Sequence, residues 1–366
     1  MVRTSGPSPA VVPDGRGLLA AALVMVVAAC GSQVTTTAGP TGDALPGSPS
    51  ATVAAPPART FLIDTDVAPD DLVALSFMLS APNVTVAGIT VSGTGEAHCE
   101  GGVTVVLGLL EYLDAPAIPV TCGRDTPLAG DHAFPDAWRD GADRGSGLEL
   151  PATERVPVEG NAVELIKGLA GDHPGLAILT LGPLTNLGDA LEADPGLASR
   201  LGPVFIMGGA LHVPGNILGP GAPQGNTVAE WNVFVDPHAL AVVVSAGLQP
   251  TLISLDGTSQ VPVTVAFARR AIQSASQPAS SVLAQLLDAN PFMADGSYFL
   301  WDPLAAEVAA GYPVGTVEAA TITVEETDGP ESGYTRPSSG DPNVRYLRTA
   351  DATAAENTLL AILDEP

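Results

Sequence analysis

The residues of this chain best suited to chemistry are four aspartates in one eight-residue segment, 64–71, which directly follows the apolar run 61–63. Carboxylates held this close repel one another, and a bound cation relieves that repulsion. Calcium and magnesium prefer oxygen ligands of this kind. Capping of the helix predicted to follow would use one or two of the four carboxylates, so the segment predicts a metal or catalytic site. The four are Asp64, Asp66, Asp70 and Asp71.

The apolar pattern indicates the elements that would position these aspartates. From residue 59 onward, β-type runs alternate with helical patterns, which is typical of a parallel sheet covered by helices. The fold class is therefore predicted to be α/β, with an open, mainly parallel (mixed) sheet and helices on both faces. Ligands bind such folds at the carboxyl ends of the strands, where the acidic segment lies. The predicted strands are 60–63, 84–91, 118–121, 177–181, 203–207 and 251–254, and the predicted helices are 71–79, 96–113, 162–169, 184–191 and 237–246.

Two long polar loops, 123–159 and 208–228, interrupt the alternation. Loops of that length in a compact domain are usually functional or disordered. Beyond residue 310, strand-like segments at 316–324 and 344–347 and a helix at 352–363 are predicted to complete the domain. Other polar segments that coincide with predicted strand ends or lie late in the chain are 179–186, 207–209, 228–232, 235–237 and 298–303.

The composition limits the partners of the protein. The 366 residues carry a formal charge of −26 with only 14 basic residues, which argues against nucleic-acid or anionic-membrane binding. That balance fits a protein that holds a metal and handles a neutral or cationic small molecule. Hydrophobic residues make up 46% of the chain, enough for a large core, and the oligomeric state stays open, a homo-oligomer included.

The first 30 residues resemble an export signal. Arg3 and Arg16 precede an apolar stretch, 18–29, that is too short to span a bilayer comfortably. Small residues before Cys30 resemble a bacterial lipoprotein signal, in which Cys30 would be lipidated; the alternative is an ordinary secretory signal cut near Ala29. Residues 31–58, rich in Thr, Pro, Gly and Ser, are predicted to be a flexible linker to one folded domain, 59–366.

Two cysteines remain, Cys99 and Cys122. Outside the cytoplasm they could form a disulfide, and two buried free thiols are an equal alternative, because spacing alone does not decide between them. The expected location is extracytoplasmic, with the protein anchored to the cell membrane through its N-terminal lipid.

Taken together, the acidic segment, the Leu-Thr-Asn segment at 184–186, Met-Gly-Gly at 207–209, Glu-x-Asn at 230–232 and the late Asp-Pro at 302–303 resemble the inosine-uridine preferring nucleoside hydrolase family. The resemblance runs from about residue 60 to the C-terminus, and the motifs occur in the family's order. It implies a calcium-dependent enzyme that hydrolyses the N-glycosidic bond of ribonucleosides and releases base and ribose.

The resemblance also implies roles for individual residues. Asp66, Asp71 and Asp302 match the calcium-binding carboxylates, and Leu181 matches a residue that contributes its main-chain carbonyl. Asp66 is also implied as the general base toward the attacking water. The residues implied to bind ribose are Asp70 and Asn232 at the 2′-hydroxyl, Asp302 and the backbone around Met207 at the 3′-hydroxyl, and Glu230 with Asn216 at the 5′-hydroxyl, where Asn226 is a competitor for Asn216.

Two positions depart from the family pattern. Many members carry a histidine before the late Asp-Pro as the acid for the leaving base, and here that residue is Trp301. Tryptophan cannot protonate a base but can stack on one, and stacking favours purine nucleosides. The nearby residue Phe292 is expected to pack in the core. The family often has asparagine at the position of Thr94. Threonine has the shorter side chain, and Thr94 is still predicted to bind substrate. His132, in the first long loop, is a further candidate acid or simply a solvated residue.

These observations predict a calcium-dependent, extracytoplasmic nucleoside N-ribohydrolase that favours purines. The alternative is a calcium-containing lipoprotein that binds nucleosides without turnover, motivated by the replacements at Thr94 and Trp301. The presence of Asp66 favours the enzyme, since a binding protein has no need of a base at that position. Hydrolysis of a different ribosylated compound is a third reading.

Overall fold

An eight-stranded sheet forms the centre of the residues that the computed structural model describes, 56–365. Its strand order is β3-β2-β1-β4-β5-β6-β10-β7, and every neighbouring pair is parallel except β10 with β7. Strands β8 and β9 form a separate antiparallel pair. The strands are β1 (Arg59–Thr65), β2 (Val84–Val91), β3 (Val120–Cys122), β4 (Leu176–Thr180), β5 (Leu201–Met207), β6 (Thr251–Ile253), β7 (Gly315–Ala320), β8 (Ile322–Val324), β9 (Thr335–Pro337) and β10 (Val344–Ala350).

Helices cover both faces of this sheet, as predicted. Successive residues of a strand point to opposite faces. Phe61 and Ile63 belong to one hydrophobic cluster and Leu62 to another, and all three are fully buried. The helices are α1 (Pro69–Ser80), α2 (Cys99–Tyr112), α3 (Asp136–Ala142), α4 (Ala162–Asp172), α5 (Thr185–Ala193), α6 (Trp231–Val235), α7 (Pro237–Ser245), α8 (Leu255–Thr258), α9 (Val265–Ser274), α10 (Pro278–Ala289), α11 (Trp301–Ala310) and α12 (Ala352–Leu363).

Most predicted elements occur within a few residues of their predicted bounds, and β2 and α12 match them fully. The predicted strand 316–324 is wrong as one element, because it divides into β7 and β8 of different sheets. The side chain of Asn343 binds both the N–H and the carbonyl of Ile322, which takes the chain out of the large sheet there. The predicted helix 96–113 begins only at Cys99, because the N–H groups of Glu96 and Ala97 bind Asp66 instead.

The segment 255–310 contains four helices that were not predicted, α8 to α11. Two of them carry local start signals, since the Thr264 side chain caps α9 and Pro278 opens α10. Among residues 56–365, no helix has both the length and the apolar character needed to cross a bilayer. The predicted signal with Cys30 and nearly all of the predicted linker lie outside the described residues.

The strand order reverses direction between β1 and β4, which lie side by side at the centre of the sheet. Chains that leave adjacent strands toward opposite sides open a crevice at the carboxyl ends of those strands. The acidic segment follows β1 and Leu181 follows β4, so both reach this crevice. The fold thus places the acidic segment where ligands bind in open α/β sheets.

Candidate active site

The acidic segment turns sharply between β1 and α1. Val67 has φ of +67°, a left-handed conformation that is strained for a β-branched residue. The turn allows the Asp71 carboxylate to accept hydrogen bonds from the Thr65 hydroxyl at 2.5 Å and from the Asp66 N–H at 3.1 Å. Asp70 and Asp71 lie in the first turn of α1, and Ala68 rather than an aspartate occupies the N-cap. The local backbone is therefore held by Asp71, not by helix capping.

Three carboxylates meet at the centre of the crevice: Asp70, Asp71 and Asp302. Each contributes one oxygen to a group in which all oxygens lie within 4.8 Å of one another, and all three side chains are buried. Oδ2 of Asp71 and Oδ1 of Asp302 have no hydrogen-bond partner within residues 56–365. Buried carboxylate oxygens without a donor are unfavourable unless a cation binds them. The all-oxygen donor set fits calcium or magnesium.

We use the term acidic cup for Asp64, Asp66, Asp70, Asp71 and Asp302. Four of these carboxyl groups, those of Asp64, Asp66, Asp70 and Asp302, have a pKa above the ordinary value of 3.8. Burial is the largest cause, and it raises the pKa of Asp64 and of Asp70 to about 7. Burial also raises the pKa of Asp66 and of Asp302 well above the ordinary value, and repulsion from Asp71 adds to both shifts. These shifts describe the carboxyl groups without a cation, whose binding would reverse them.

Asp66 lies beside this group rather than inside it. Its backbone N–H binds Asp71, and its Oδ2 accepts a hydrogen bond from the Glu96 N–H at 3.0 Å. The third member of the tight group is Asp70, for which the sequence analysis predicted a ribose contact. Tyr298 donates its hydroxyl to Asp70 at 2.6 Å, and the N–H of Asp302 lies 3.3 Å from the other oxygen. The geometry brings all four carboxylates together, with Asp66 as the one nearest the loop after β2.

Leu181, Met207 and Asn232 meet on the β4–β5 side of the cup. The Asn232 side-chain amide donates to the Leu181 carbonyl at 2.7 Å and to the Met207 carbonyl at 3.2 Å. Asn232 is buried at the start of α6, whose N-cap is Glu230. The carboxylate of Glu230 accepts hydrogen bonds from the N–H groups of Asn232, Val233 and Gly209. Burial raises the pKa of Glu230 to about 7 despite these donors.

The two competing asparagines have different surroundings. Asn226 is buried, and both ends of its amide bind backbone, with the oxygen on Val228 and Ala229 and the nitrogen on Ser332. Asn216 is half-buried, and its oxygen accepts from the Trp231 N–H at 3.0 Å, one residue after Glu230. Asn226 therefore has a structural role in the loop, whereas the Asn216 amide nitrogen is the one available beside Glu230.

Thr94 is buried, and its hydroxyl is already engaged. It lies 3.0 Å from the Ser92 hydroxyl and 2.9 Å from the Thr185 hydroxyl, which in turn donates to Asp236 at 2.7 Å. This chain of hydroxyls joins the loop after β2 to the starts of α5 and α7. The Thr94 hydroxyl, which was predicted to contact substrate, is thus also part of a structural hydrogen-bond network.

An aromatic wall borders the cup on the α11 side. We use the term aromatic wall for Tyr298, Phe299 and Trp301, which are all half-buried. Trp301 meets Tyr298 edge-on with ring centroids 4.6 Å apart and lies 5.6 Å from Phe299. The expectation that Phe292 packs in the core is wrong, because this ring is 57% exposed and meets Tyr298 edge-on with ring centroids 6.2 Å apart. Its short helical turn is too near the surface to bury it.

His132 is held by residues that do not belong to the cup. Its ring stacks on Phe234 with centroids 4.1 Å apart, Nδ1 contacts the Phe234 carbonyl, and Nε2 lies 3.3 Å from Asp328. The loop that carries it contributes Phe134 and Trp138 to a small aromatic cluster around Trp231. His132 therefore anchors this loop to α6.

Two residues of the site were not identified from the sequence. Glu96 was placed in a helix, yet its carboxyl group lies by the cup, where burial and the charges of Asp70 and Asp71 raise its pKa to about 8. The hydrogen bond from Tyr298 to Asp70 joins residues 228 positions apart, so spacing could not predict it.

The sequence left open whether Cys99 and Cys122 form a disulfide or remain free thiols. The structure joins them in a disulfide.

Comparison with known proteins gives the family of this fold and site. The family model for inosine-uridine preferring nucleoside hydrolase matches residues 61–357. The pyrimidine-specific ribonucleoside hydrolase RihA of Salmonella enteritidis is 33% identical over 232 residues, which is 63% of this chain and 71% of that protein. The probable uridine nucleosidase 1 of Oryza sativa subsp. japonica is 31% identical over 204 residues, 56% of this chain and 60% of that protein.

Solved structures of nucleoside hydrolases have the same fold as this chain. The plant nucleoside hydrolase PpNRh1 matches with a TM-score of 0.73 and 26% identity over 85% of this chain and all of that one. The purine-preferring ribonucleoside hydrolase from Gardnerella vaginalis matches with a TM-score of 0.72 and 26% identity over 84% of this chain and 98% of that one. The matched range contains the whole acidic cup, the aromatic wall and the Glu230 side of the crevice. The chain belongs to the inosine-uridine preferring nucleoside hydrolase family and is a ribonucleoside hydrolase.

Proposed function

We propose that this hydrolase depends on calcium, prefers purine ribonucleosides and works outside the cytoplasm on a lipid anchor. The observation that carries the calcium proposal is the buried group of Asp70, Asp71 and Asp302, which presents oxygens that lack a donor within the described residues. Asp66 lies beside this group, and the family resemblance implies the Leu181 carbonyl, which accepts from the Asn232 amide, as a further ligand. A divalent cation bound there would supply Lewis acidity that lowers the pKa of a water molecule.

The residues of the chain have distinct parts in the reaction. Asp66 takes the proton from the attacking water, and the Glu96 N–H orients its carboxylate. Positive charge that develops on the ribose ring in the transition state is stabilised by the surrounding carboxylates. Asp70, Asn232 and Asp302 bind the ribose hydroxyls, and Glu230 with Asn216 binds the 5′-hydroxyl. Backbone donors hold Glu230, so it needs little reorganisation when substrate binds.

The purine preference rests on Trp301. Its half-buried ring lies one residue before Asp302, so a base stacked on it would place the glycosidic bond close to the cup. Stacking on a larger ring system buries more area and favours purines over pyrimidines. The relative RihA is named pyrimidine-specific and the Gardnerella structure purine-preferring, so membership in the family leaves the base to be measured.

One activity panel tests the calcium and purine proposals together. Inosine, guanosine, uridine and cytidine are incubated with the enzyme, with and without a chelator, and free base is measured. Purine nucleosides should give the higher kcat/KM, and chelation should abolish turnover until calcium is restored. Asp66→Ala should lower kcat by at least about a hundredfold, as expected for a lost general base. Near-normal rates in that variant, or full activity in the chelator, would contradict the assignment.

The location is tested separately. The disulfide between Cys99 and Cys122 supports an oxidising compartment outside the cytoplasm. Cys30→Ala should move the protein from the membrane fraction to the soluble fraction, whereas Cys99→Ser should leave it at the membrane. Equal membrane recovery of Cys30→Ala and wild type would refute the lipid anchor.

A further inference from the structure

A hairpin late in the chain packs against α6, the helix whose N-cap is Glu230. It consists of β8, β9 and the loop 325–334 between them, and we use the term supporting hairpin for residues 322–337. Gly333 of this hairpin lies directly on α6, because a Cβ at Gly333 would come within 2.7 Å of the Cα of Phe234. Its φ of +81° is one that glycine adopts without strain. The supporting hairpin is thus in close contact with an element of the site, although it contributes no residue to the proposed reaction.

The first contact of the supporting hairpin with the site is made by Thr335. This side chain is fully buried in β9, and its hydroxyl accepts from the Ala210 N–H at 2.8 Å and donates to the Ala210 carbonyl at 2.9 Å. One side chain therefore holds both backbone groups of Ala210. The preceding residue is Gly209, whose N–H donates to the Glu230 carboxylate at 3.1 Å. Thr335 thus fixes the backbone that brings this donor to Glu230.

The Gly209 N–H is the donor to Glu230 that comes from outside α6. The other two donors, on Asn232 and Val233, belong to the helical turn that Glu230 caps. These two orient the carboxylate relative to its own helix, whereas Gly209 orients it relative to β5, which ends at Met207. A group that binds substrate must be held to within about 0.5 Å by its supporting contacts. The position of the Glu230 carboxylate in the crevice therefore depends on Gly209.

The second contact of the supporting hairpin runs through Asn226 to Asn216. The Ser332 carbonyl accepts from the Asn226 amide nitrogen at 2.8 Å. The Asn226 oxygen accepts from the Ala229 N–H at 3.0 Å, and the Ala229 carbonyl accepts from the Asn216 N–H at 3.0 Å. Short paths of hydrogen bonds and neighbouring backbone thus connect the hairpin to both residues that are proposed to bind the 5′-hydroxyl.

The loop of the supporting hairpin is tied to two other parts of the domain. The Glu326 carboxylate lies 2.6 Å from Nδ1 of His238 on α7, and the Asp328 carboxylate lies 3.3 Å from Nε2 of His132. A hairpin of two short strands is at best marginally stable by itself. Contacts with the rest of the domain therefore hold this hairpin in place, and through them it can act as a fixed support.

We propose that Thr335 is a positioning residue for the 5′-hydroxyl of the substrate, and that the supporting hairpin holds Glu230 and Asn216 where that hydroxyl binds. This inference rests on the proposed function and names a residue that supports the same site. Thr335 touches no substrate and acts through the backbone of Ala210 and Gly209. It lies 125 positions from Ala210 and outside the motifs on which the family resemblance depends.

Matched substrates test the role of Thr335. Guanosine, 5′-deoxyguanosine and 2′-deoxyguanosine are compared by kcat/KM, and the uridine series replaces them if the activity panel favours uridine. The wild type should discriminate against 5′-deoxyguanosine by about tenfold or more, as for one lost hydrogen bond to a charged group. Thr335→Val keeps the shape of threonine without its hydroxyl and should reduce that discrimination by a factor of about 3 to 10. Discrimination against 2′-deoxyguanosine should stay unchanged.

Further variants at the same position provide a graded series. Thr335→Ser keeps the hydroxyl and should retain most of the wild-type discrimination. Thr335→Cys carries a weaker donor and acceptor and should lie between the serine and valine variants, so it supplies the test if valine prevents folding. Thr323→Val makes the same substitution at an exposed threonine of β8 and should leave the kinetics on all three substrates unchanged.

The second path is tested by Asn226→Asp. This variant removes the donor to Ser332 and keeps the oxygen that binds Ala229. It should also reduce the discrimination against 5′-deoxyguanosine, because Asn216 is then less firmly held. Its effect does not depend on Thr335, so agreement between the two variants would assign the support to the hairpin as a whole.

The outcomes separate this inference from the proposed function. Suppose that the wild type discriminates against 5′-deoxyguanosine, and that Thr335→Val changes kcat/KM on all three substrates by the same factor or not at all. Thr335 would then have only a structural role, and the inference alone would be overturned. Equal rates of the wild type on guanosine and 5′-deoxyguanosine would instead remove the 5′-hydroxyl assignment of Glu230 and Asn216, and a wild type that hydrolyses no ribonucleoside would overturn the proposed function.

Discussion

At the scale of single residues, the Asp70 carboxylate is held by groups from outside its own helix. It accepts the Tyr298 hydroxyl at 2.6 Å and a longer contact from the Asp302 N–H, so its orientation depends on α11 rather than on its own helix. Fixed carboxylates position ribose hydroxyls with little loss of entropy on binding. Tyr298 is thus a positioning residue for the ribose end of the substrate.

Tyr298→Phe should lower kcat/KM on guanosine about tenfold, which corresponds to the loss of one hydrogen bond to a charged group. The loss should be smaller on 2′-deoxyguanosine, because the hydroxyl that Asp70 is proposed to bind is absent there. Tyr312→Phe is the matched control, since the Tyr312 hydroxyl contacts Asn83 far from the cup. Equal losses on the two substrates would show that Tyr298 supports the fold rather than Asp70.

At the scale of elements, the loop between β2 and α2 is held by a disulfide and by hydrogen bonds from neighbouring elements. The disulfide joins Cys99, the first residue of α2, to Cys122, the last residue of β3. The buried Arg139 of α3 donates to the Gly93 carbonyl at 2.6 Å, and Asp143 binds the His98 N–H at 2.7 Å. These contacts fix the loop that carries Thr94 and Glu96.

Replacement of both cysteines by serine should lower the free energy of unfolding by about 3 kcal/mol, the value expected when a loop of this length is no longer closed. Urea unfolding with the usual linear extrapolation measures the change. Addition of a reducing agent should destabilise the wild type by the same amount and should leave the double variant unaffected. A reductant effect on the double variant would mean that the loss has another source.

Helix α11 carries a second buried acid, Glu307, five residues after Asp302. Both of its carboxylate oxygens lack a partner of good geometry among residues 56–365, and the residue is 1% exposed. Burial raises its pKa well above the ordinary 4.5, and the Leu359 amide lowers it by less. The folded protein therefore keeps this proton when the unfolded chain has lost it, and the resulting cost to stability grows as pH rises above 4.5.

Glu307→Met should raise the free energy of unfolding at neutral pH by about 1–3 kcal/mol, because an apolar side chain of similar size carries no desolvation cost. The gain over wild type should shrink as pH falls toward 4.5, where the glutamic acid is neutral in both states. Urea unfolding across that pH range measures it. A gain that does not vary with pH would indicate better packing rather than relief of a buried acid.

At the scale of the whole molecule, the acidic cup links stability to calcium and pH. Asp64 and Asp70 have pKa values of about 7 when folded and 3.8 ordinarily, and Asp66 and Asp302 shift in the same direction. The folded state thus binds more protons than the unfolded state between these limits. Stability of the metal-free protein must therefore fall as pH rises through that window.

The calcium-free protein should therefore lose Tm steadily from about pH 4 to about pH 7, and calcium should restore it by an increment that grows with pH. Differential scanning calorimetry in chelator and in excess calcium measures both trends. Asp302→Asn should flatten the pH dependence and reduce the calcium response. A calcium response of the same size at every pH would mean that the ion binds elsewhere.

The strand alternation and the core were available from the sequence because they depend on local hydrophobic patterns. A run such as 61–63 can only be buried between two layers, and β1 is buried in that way. The helices between 255 and 310 were not predicted, because their positions depend on packing against distant elements: α9, α10 and α11 pack against α12, and α8 packs against β10. The break between β7 and β8 was also not predicted, because it depends on the side chain of Asn343, which directly precedes β10.

The sequence by itself determined the four clustered aspartates and the alternation of strands and helices, and the order of its motifs supported a family resemblance that implied one site for the carboxylates, the Glu-x-Asn segment and the late Asp-Pro. Only the tertiary structure decided which of them touch. Asp70 rather than Asp66 completes the tight carboxylate group, and Tyr298 holds Asp70. Glu96 lies in the loop before α2, where its backbone N–H binds Asp66. The physical reason is that contacts between residues far apart in the chain depend on where strands and helices end in space, and spacing along the chain does not encode those distances.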